Sequence, residues 1–359
     1  MRTEELVKVM RRRRLDSVLV TDQANLRALT GINCDNAIVT VERLRGCEVE
    51  KFGTVFYTDF RYVPMVHRVA PKLKCRDIKT FGARRKGLGA GASRPRRIGY
   101  ESTISHAKFL AWQKKFPKAT FVDVSKDIAA IRAVKTADEI AALRAAEKLD
   151  CEIWETARGK FRAGMTERQM ARIIRKLMIE RGEGEAFATI VCVGKNAAEC
   201  HHEPDDTVWN GREPVLVDMG VKLNGVCSDL TRNLTSSPSH PLTLSPLYRK
   251  VYSLVLKANL AAIAAAKPGM TGKALDKVAR DVIKKGGFGK CFGHSLGHGV
   301  GYEIHEAPYA SKKGDMVLKP GMLVTIEPGI YLEDNLGVRI EDLVLITDTG
   351  CEVLSNCEK

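Results

Sequence analysis

Apolar residues along this chain follow two different periods. Near the start, Leu6, Val9 and Met10 give a short helix one apolar side; Thr3 would cap it, Glu4 and Glu5 occupy its first turn, and Arg11, Arg12, Arg13 and Arg14 close it, signs that suit the helix dipole. Runs rich in β-branched residues at 17–20, 37–41 and 54–58 read as strands, with a short helix over 25–29. Strands and helices alternating through short connections predict an α/β domain. Residues 121–135 look like a junction. After it, Thr136-x-x-Glu139 has the form of a capping box, and Ile140, Leu143, Ala146 and Leu149 lie along one side of a long helix.

A weak internal repeat organises the rest of the chain. Gly164-Met165-Thr166 precedes a helical stretch over 167–181, and Gly269-Met270-Thr271 precedes another over 274–285. Each unit then reaches a histidine-bearing segment, His201-His202 in the first and residues 294–305 in the second. A duplicated half with a site at its pseudo-symmetric seam is expected.

Composition sharpens the division. At 359 residues the chain exceeds one ordinary core, so two domains are expected. Of the net +15, the part up to Lys135 carries 29 Lys and Arg against 13 Asp and Glu, while the remainder carries 29 against 30. The basic residues fall in clusters (11–14, 72–76, 84–86, 94–97) without stacking aromatics between them, which reads as solvated surface and not as a nucleic-acid site. Gly87-Leu88-Gly89-Ala90-Gly91 lacks the Gly-Lys-Ser/Thr ending of a phosphate loop and reads as a surface loop. No apolar run is long enough for a membrane span, and the first apolar residues run into four arginines, so no signal peptide is expected. Ten cysteines without a C-x-x-C pair point to reduced thiols in the cytoplasm; Cys200, beside the histidines, is the one whose reactivity matters most.

The chemistry concentrates after residue 187. Residues 215–217 read as a strand, Asn224-Gly225 as a turn signal, and 226–230 as the returning strand. With the turn at Leu223-Asn224, Asp218 faces Asp229 directly; with the turn at Asn224-Gly225 they are diagonal neighbours. Both registers leave the two carboxylates on one face. Two such groups repel unless a cation lies between them or one is protonated; alternatively, Asp229 is an exposed strand end and Asp218 a turn acid. Glu327 and Glu341 repeat the pattern: antiparallel strands over 322–327 and 338–343, joined by a loop over 331–336, would put them on one face with Arg339 beside Glu341. Four carboxylates and a histidine, H-S-L-G-H with His298 at its end, are too negative to converge without cations. Oxygen-rich ligation of this kind favours two divalent ions, manganese first, with cobalt or zinc as alternatives, bridged by a hydroxide.

In the order and spacing of Asp218, Asp229, His298, Glu327 and Glu341 the chain resembles the pita-bread metallopeptidases, which include aminopeptidase P, prolidase and methionine aminopeptidase. The resemblance implies an α+β chain: a smaller N-terminal α/β accessory domain like that of creatinase, residues 1–128, and a catalytic pita-bread domain with pseudo-two-fold halves, residues 129–359. It implies that Asp229 and Glu341 bridge both ions, that Asp218 completes one, and that His298 and Glu327 complete the other. Glu327 would also move protons, His201 and His305 would stabilise the oxyanion and hold the scissile carbonyl, and His294 and Arg339 would contact substrate. His202 is expected to be a neighbour without a role, and Thr231 to support a ligand. The full N-terminal domain and the H-S-L-G-H arrangement fit methionine aminopeptidase poorly. The absence of an arginine after His305-Glu306, with only Lys312 and Lys313 further on, favours an Xaa-Pro aminopeptidase over a prolidase; the resemblance implies a homodimer acting on short proline peptides. A prolidase is the alternative, and a catalytically inactive binding protein with a basic N-terminal domain is the reading of another class.

Overall fold

The computed structural model describes residues 2–44, 51–82, 96–235 and 244–359. The glycine-rich stretch at 87–91 and the basic cluster at 84–86 lie outside the described residues. The chain divides into two compact units, Met1–Arg132 and Ala133–Lys359.

The first unit is built on a six-stranded mixed sheet. Its strands run in the spatial order Lys74–Asp77, Lys51–Thr58, Ala37–Leu44, Ser17–Val20, Arg97–Tyr100, Thr120–Asp123. The period of two decides which residues each face buries. Val18, Val20, Val39 and Phe56 pack with Leu6, Met10 and Leu26 on one side, while Leu19, Ile38, Val55 and Tyr57 pack with Phe81 and Trp112 on the other. The first helix, Thr3–Arg13, departs from expectation at its start: Arg2 is the N-cap, no side chain caps it, and Thr3 lies within the helix. Glu4 and Glu5 in the first turn still supply negative charge where the free N–H groups gather.

In the second unit, Thr136 and Glu139 form the capping box that opens the 22-residue helix Ala137–Arg158. Its buried stripe contains Leu143, Ala146, Leu149 and Ile153, and in the middle of that stripe are two acids, Glu147 and Asp150. The internal repeat is visible in backbone detail. Thr166 caps Glu167–Arg181 and bridges Val208, as Thr271 caps Gly272–Lys285 and bridges Val317. Gly164 N–H donates to Trp209 O at 2.8 Å, matching Gly269 N–H to Leu318 O at 2.9 Å, and the two glycines have φ of 90° and 87°.

Each half contributes a three-stranded antiparallel sheet. One places Val215–Met219 between Leu230–Leu234 and Ile190–Val193; the other places Asp342–Ile346 between Leu323–Ile326 and Cys351–Val353. Among the described residues no helix is long and apolar enough to cross a membrane.

Candidate metal centre

Turn chemistry sets the first carboxylate pair. Asn224 and Gly225 both have positive φ, 53° and 68°, and Leu223 pairs with Val226, a two-residue hairpin connection. That register carries through to Asp218 opposite Thr231, so Asp218 and Asp229 are diagonal neighbours. The second pair arises in the same way. Leu323–Ile326 pairs with Asp342–Ile346, Gly329–Leu332 pairs with Leu336–Arg339, and both ladders keep one register. Glu327 and Glu341 therefore come opposite each other where Pro328, lacking an N–H, interrupts the ladder.

His298 reaches these acids from the short strand Gly297–Gly299. Its backbone N–H donates to Thr325 Oγ1 at 3.0 Å, and a Cβ at Gly297 would run into the Thr325 carbonyl, so only glycine allows this approach. His298 Nδ1 faces Gly299 O at 3.2 Å, which fixes the N–H on that nitrogen. The other nitrogen, Nε2, is left as a lone pair 3.3 Å from Glu327 Oε1 and 3.6 Å from Asp229 Oδ2. Ligand atoms of Asp229, His298 and Glu341 lie within 4.8 Å of one another.

The electrostatics of this cluster favour a bound cation. Burial, then the charges of Glu341, Asp218 and Glu327, push the Asp229 carboxyl well above its usual range. Burial, then Glu327 and Asp218, do the same to Glu341, and burial above all pushes Glu327 up to about 8. His298 is pushed down to about 4 by burial and by His305, so its imidazole is a neutral donor. Asp218 Oδ1 and Glu341 Oε1 are buried without a hydrogen-bond partner. Buried carboxylate oxygens with no donor, converging with a histidine lone pair, are a donor set that fits divalent cations.

Around these five lies a layer of hydrogen bonds. Thr231 Oγ1 donates to Glu341 Oε2 at 2.7 Å and Thr325 Oγ1 to Glu327 Oε1 at 3.0 Å. Arg339 uses its whole fork inward: Nη2 to Asp218 Oδ2 at 2.6 Å, Nε to Thr231 Oγ1 at 3.0 Å, and Nη1 to the Tyr331 hydroxyl at 2.8 Å. His294 Nε2 meets the same hydroxyl at 3.0 Å, and burial together with Arg339 pushes its pKa down to about 4. His201 and His305 are exposed and line the same pocket, of about 460 Å³, as the four acids and His298; the His305 ring stacks edge-on against His298 with centroids 4.3 Å apart.

Two contributors escape a reading of the sequence. His202 is the buried member of its pair, with Nε2 2.7 Å from Glu167 Oε2. Burial opposes its charge, but the Glu167 carboxylate outweighs that and raises its pKa. Glu167 also accepts from Val193 N–H and Asn196 Nδ2, so this contact pins the segment that presents His201. Tyr331, which joins Arg339 to His294, falls by pattern at the start of a loop and carries no signal of its own.

Residues 141–348 match the sequence pattern of metallopeptidase family M24, and residues 2–134 match the creatinase/prolidase N-terminal domain. The chain belongs to family M24. The pita-bread architecture expected from its motifs is thereby established. Among relatives of this M24 chain, the Xaa-Pro dipeptidase of Pyrococcus furiosus is 44% identical over 198 residues, 55% of each sequence; the chain thus spans about half the length of the curated relatives it matches. The solved prolidase from Pyrococcus furiosus is 32% identical, with a TM-score of 0.84 over 98% of this chain and 100% of that one. The X-Pro aminopeptidase from Thermotoga maritima is 29% identical, with a TM-score of 0.81 over 96% of each chain.

Proposed function

We propose that this M24 chain is a dinuclear metal-dependent Xaa-Pro dipeptidase that hydrolyses the bond before proline in short peptides. The observation that carries the chemistry is the convergence of Asp218, Asp229, His298, Glu327 and Glu341 in one pocket with unpartnered carboxylate oxygens. The names of the relatives with the higher identities support the dipeptidase, which reverses the preference for an aminopeptidase drawn from the missing arginine. The aminopeptidase remains a second reading, supported by the Thermotoga maritima likeness and by Arg339 being spent on Asp218, Thr231 and Tyr331 and so not free to grip a carboxylate.

The five ligands would hold two divalent cations, which would supply Lewis acidity and make water nucleophilic near neutral pH. By the resemblance to the family, Asp229 and Glu341 would be shared. Thr231, donating to Glu341 Oε2, leaves Oε1 for coordination. Glu327, fixed by Thr325, takes up the proton of the attacking water and delivers it to the leaving amine. His201 and His305, at the open side of the pocket, face the substrate carbonyl and donate to the developing oxyanion. The His294–Tyr331–Arg339 chain, buried at Arg339 and half-buried at the other two, holds Asp218 in place and borders the substrate space.

Turnover of an Xaa-Pro dipeptide against an Xaa-Pro-Yaa tripeptide, by manganese-loaded protein, tests the reading. Cleavage confined to the dipeptide is the expected result. Cleavage confined to the tripeptide establishes the aminopeptidase, and neither, with no metal bound, overturns both.

A further inference from the structure

Beside the Ala137–Arg158 helix, and lined by none of the metal-pocket residues, a solvent-open cleft of about 780 Å³ runs along the C-terminal segment. Its walls include two thiols from opposite ends of the unit, Cys151 on the helix and Cys357 near the C-terminus. Cys151 is buried in the core and Cys357 packs against that core while remaining half-exposed. Both thiols line this one cleft, Cys357 packs on the core cluster that contains Cys151, and neither is bridged. The Arg232 guanidinium lies beside Cys357, donating to its carbonyl at 3.2 Å, to Asp342 Oδ1 at 3.0 Å and to Ser355 O at 3.4 Å.

A cation next to one thiol of a contacting pair is the arrangement that favours a nucleophilic sulfur with a resolving partner. The Cys151 hydrogen bond and the Arg232 charge hold the Cys357 thiol below its ordinary pKa despite its burial, while the hydrogen bond and burial push Cys151 up. Of the other described cysteines, Cys192 is buried and Cys200 lines the metal pocket.

We propose that Cys151 and Cys357 are a reversible oxidation site, converted by hydrogen peroxide into a disulfide that ties the C-terminal segment to the Ala137–Arg158 helix. The Cys357 thiolate attacks one peroxide oxygen, the O–O bond breaks, and the departing hydroxide is protonated to water. The sulfur is left as a sulfenic acid. Cys151 then attacks that sulfur, losing its proton, and the second oxygen leaves as water; two thiols and one peroxide become one disulfide and two waters, a two-electron exchange. The tie secures contacts that reach the metal ligands. Ser355 Oγ donates to Glu147 Oε1 at 2.6 Å, Glu147 Oε2 accepts from the backbone N–H of Asp229 at 3.2 Å, and Arg232 donates to the carbonyl of Glu341. Joining residues so far apart in sequence restricts the unfolded chain strongly, so oxidation raises the unfolding temperature.

The test treats the full-length protein with a modest excess of hydrogen peroxide, alkylates the remaining thiols, and maps the unreduced digest by mass spectrometry beside a thermal unfolding scan. The expected result is a Cys151–Cys357 linked peptide two hydrogens lighter than its parts, released by dithiothreitol, with an unfolding temperature several degrees higher. In Cys357→Ser and, separately, Cys357→Ala, both the link and the peroxide-dependent shift disappear. Cys357 recovered as sulfinic or sulfonic acid beside a free Cys151, both thiols unmodified while Cys200 oxidises, or a shift that persists in both variants would each overturn the proposal.

Discussion

Arg339 Nη2 lies 2.6 Å from Asp218 Oδ2, and the same guanidinium holds Thr231 and, through Tyr331, His294. One planar fork thus fixes a proposed ligand from each half of the repeat, since Thr231 in turn donates to Glu341.

A lysine has its three donors on one nitrogen and cannot span the three separated acceptors that Nε, Nη1 and Nη2 of the planar fork reach. Arg339→Lys is expected to weaken manganese binding and to lower peptidase activity by about 10- to 100-fold, the usual cost of losing a partner that orients a metal ligand. Isothermal titration of the metal-free variant measures the first effect. Affinity equal to the parent's would show that Asp218 needs no such support.

Replacing Asp229 and Glu341 by their amides separates charge from shape. Asp229→Asn and Glu341→Gln are expected to lose bound manganese and turnover while folding, because each removes a buried like charge without removing volume. Metal content by elemental analysis, with the unfolding temperature measured in chelator, checks both. Retention of two metals and full activity would refute the ligand assignment.

The metal-free protein has a pH dependence whose sign is set by the site. Asp229, Glu341 and Glu327 have folded-state pKa values above their unfolded ones, about 8 for Glu327, so folding takes up protons; that contribution is complete at low pH and is lost as pH rises through the folded values. His294 and His298, lowered to about 4, act in the opposite sense, but only below about pH 6.5, where the unfolded imidazole charges. His202, raised, loses its contribution across the upper window too. Thermal scans in chelator are therefore expected to show stability falling from about pH 6.5 to about pH 8, with manganese reducing the slope. A flat or rising profile without metal would contradict the buried-carboxylate account.

Gly297→Ala tests the approach of His298. The added methyl meets the Thr325 backbone and forces the Gly297–Gly299 strand outward. A shift of even a fraction of an ångström there misplaces the His298 lone pair, so a loss of at least about 10-fold in metal affinity is expected, comparable to that from removing a supporting hydrogen bond. Unchanged affinity in titration would mean that the strand yields without moving the imidazole.

Much of the site was legible because short-range rules determine it. Asn224-Gly225 signals a tight turn, and either register it allows puts Asp218 and Asp229 on one face; the structure selects the diagonal one, and two hairpins of like pattern announce four acids that need a cation. The capping box at Thr136 and the period of two through Val18, Leu19 and Val20 similarly reveal elements from local sequence. The contact between His202 and Glu167 links positions 35 residues apart, and the Ser355–Glu147 bond links positions 208 apart. Glu147 and Asp150 occupy the apolar stripe of their helix, where the helical period could have marked them as buried, but their partners Ser228 and Ser355 come from a remote connection between strands and from the C-terminal segment. Sequence by itself determined most of the elements, the shared face of each carboxylate pair and the kinds of donor atom, since these follow from backbone sterics and side-chain chemistry within a few residues, while the choice between the two hairpin registers came from the structure. Only the tertiary structure decided which histidine turns inward, that Arg339 is spent on Asp218, and that Cys151 meets Cys357, because each depends on how surfaces distant in the chain pack together.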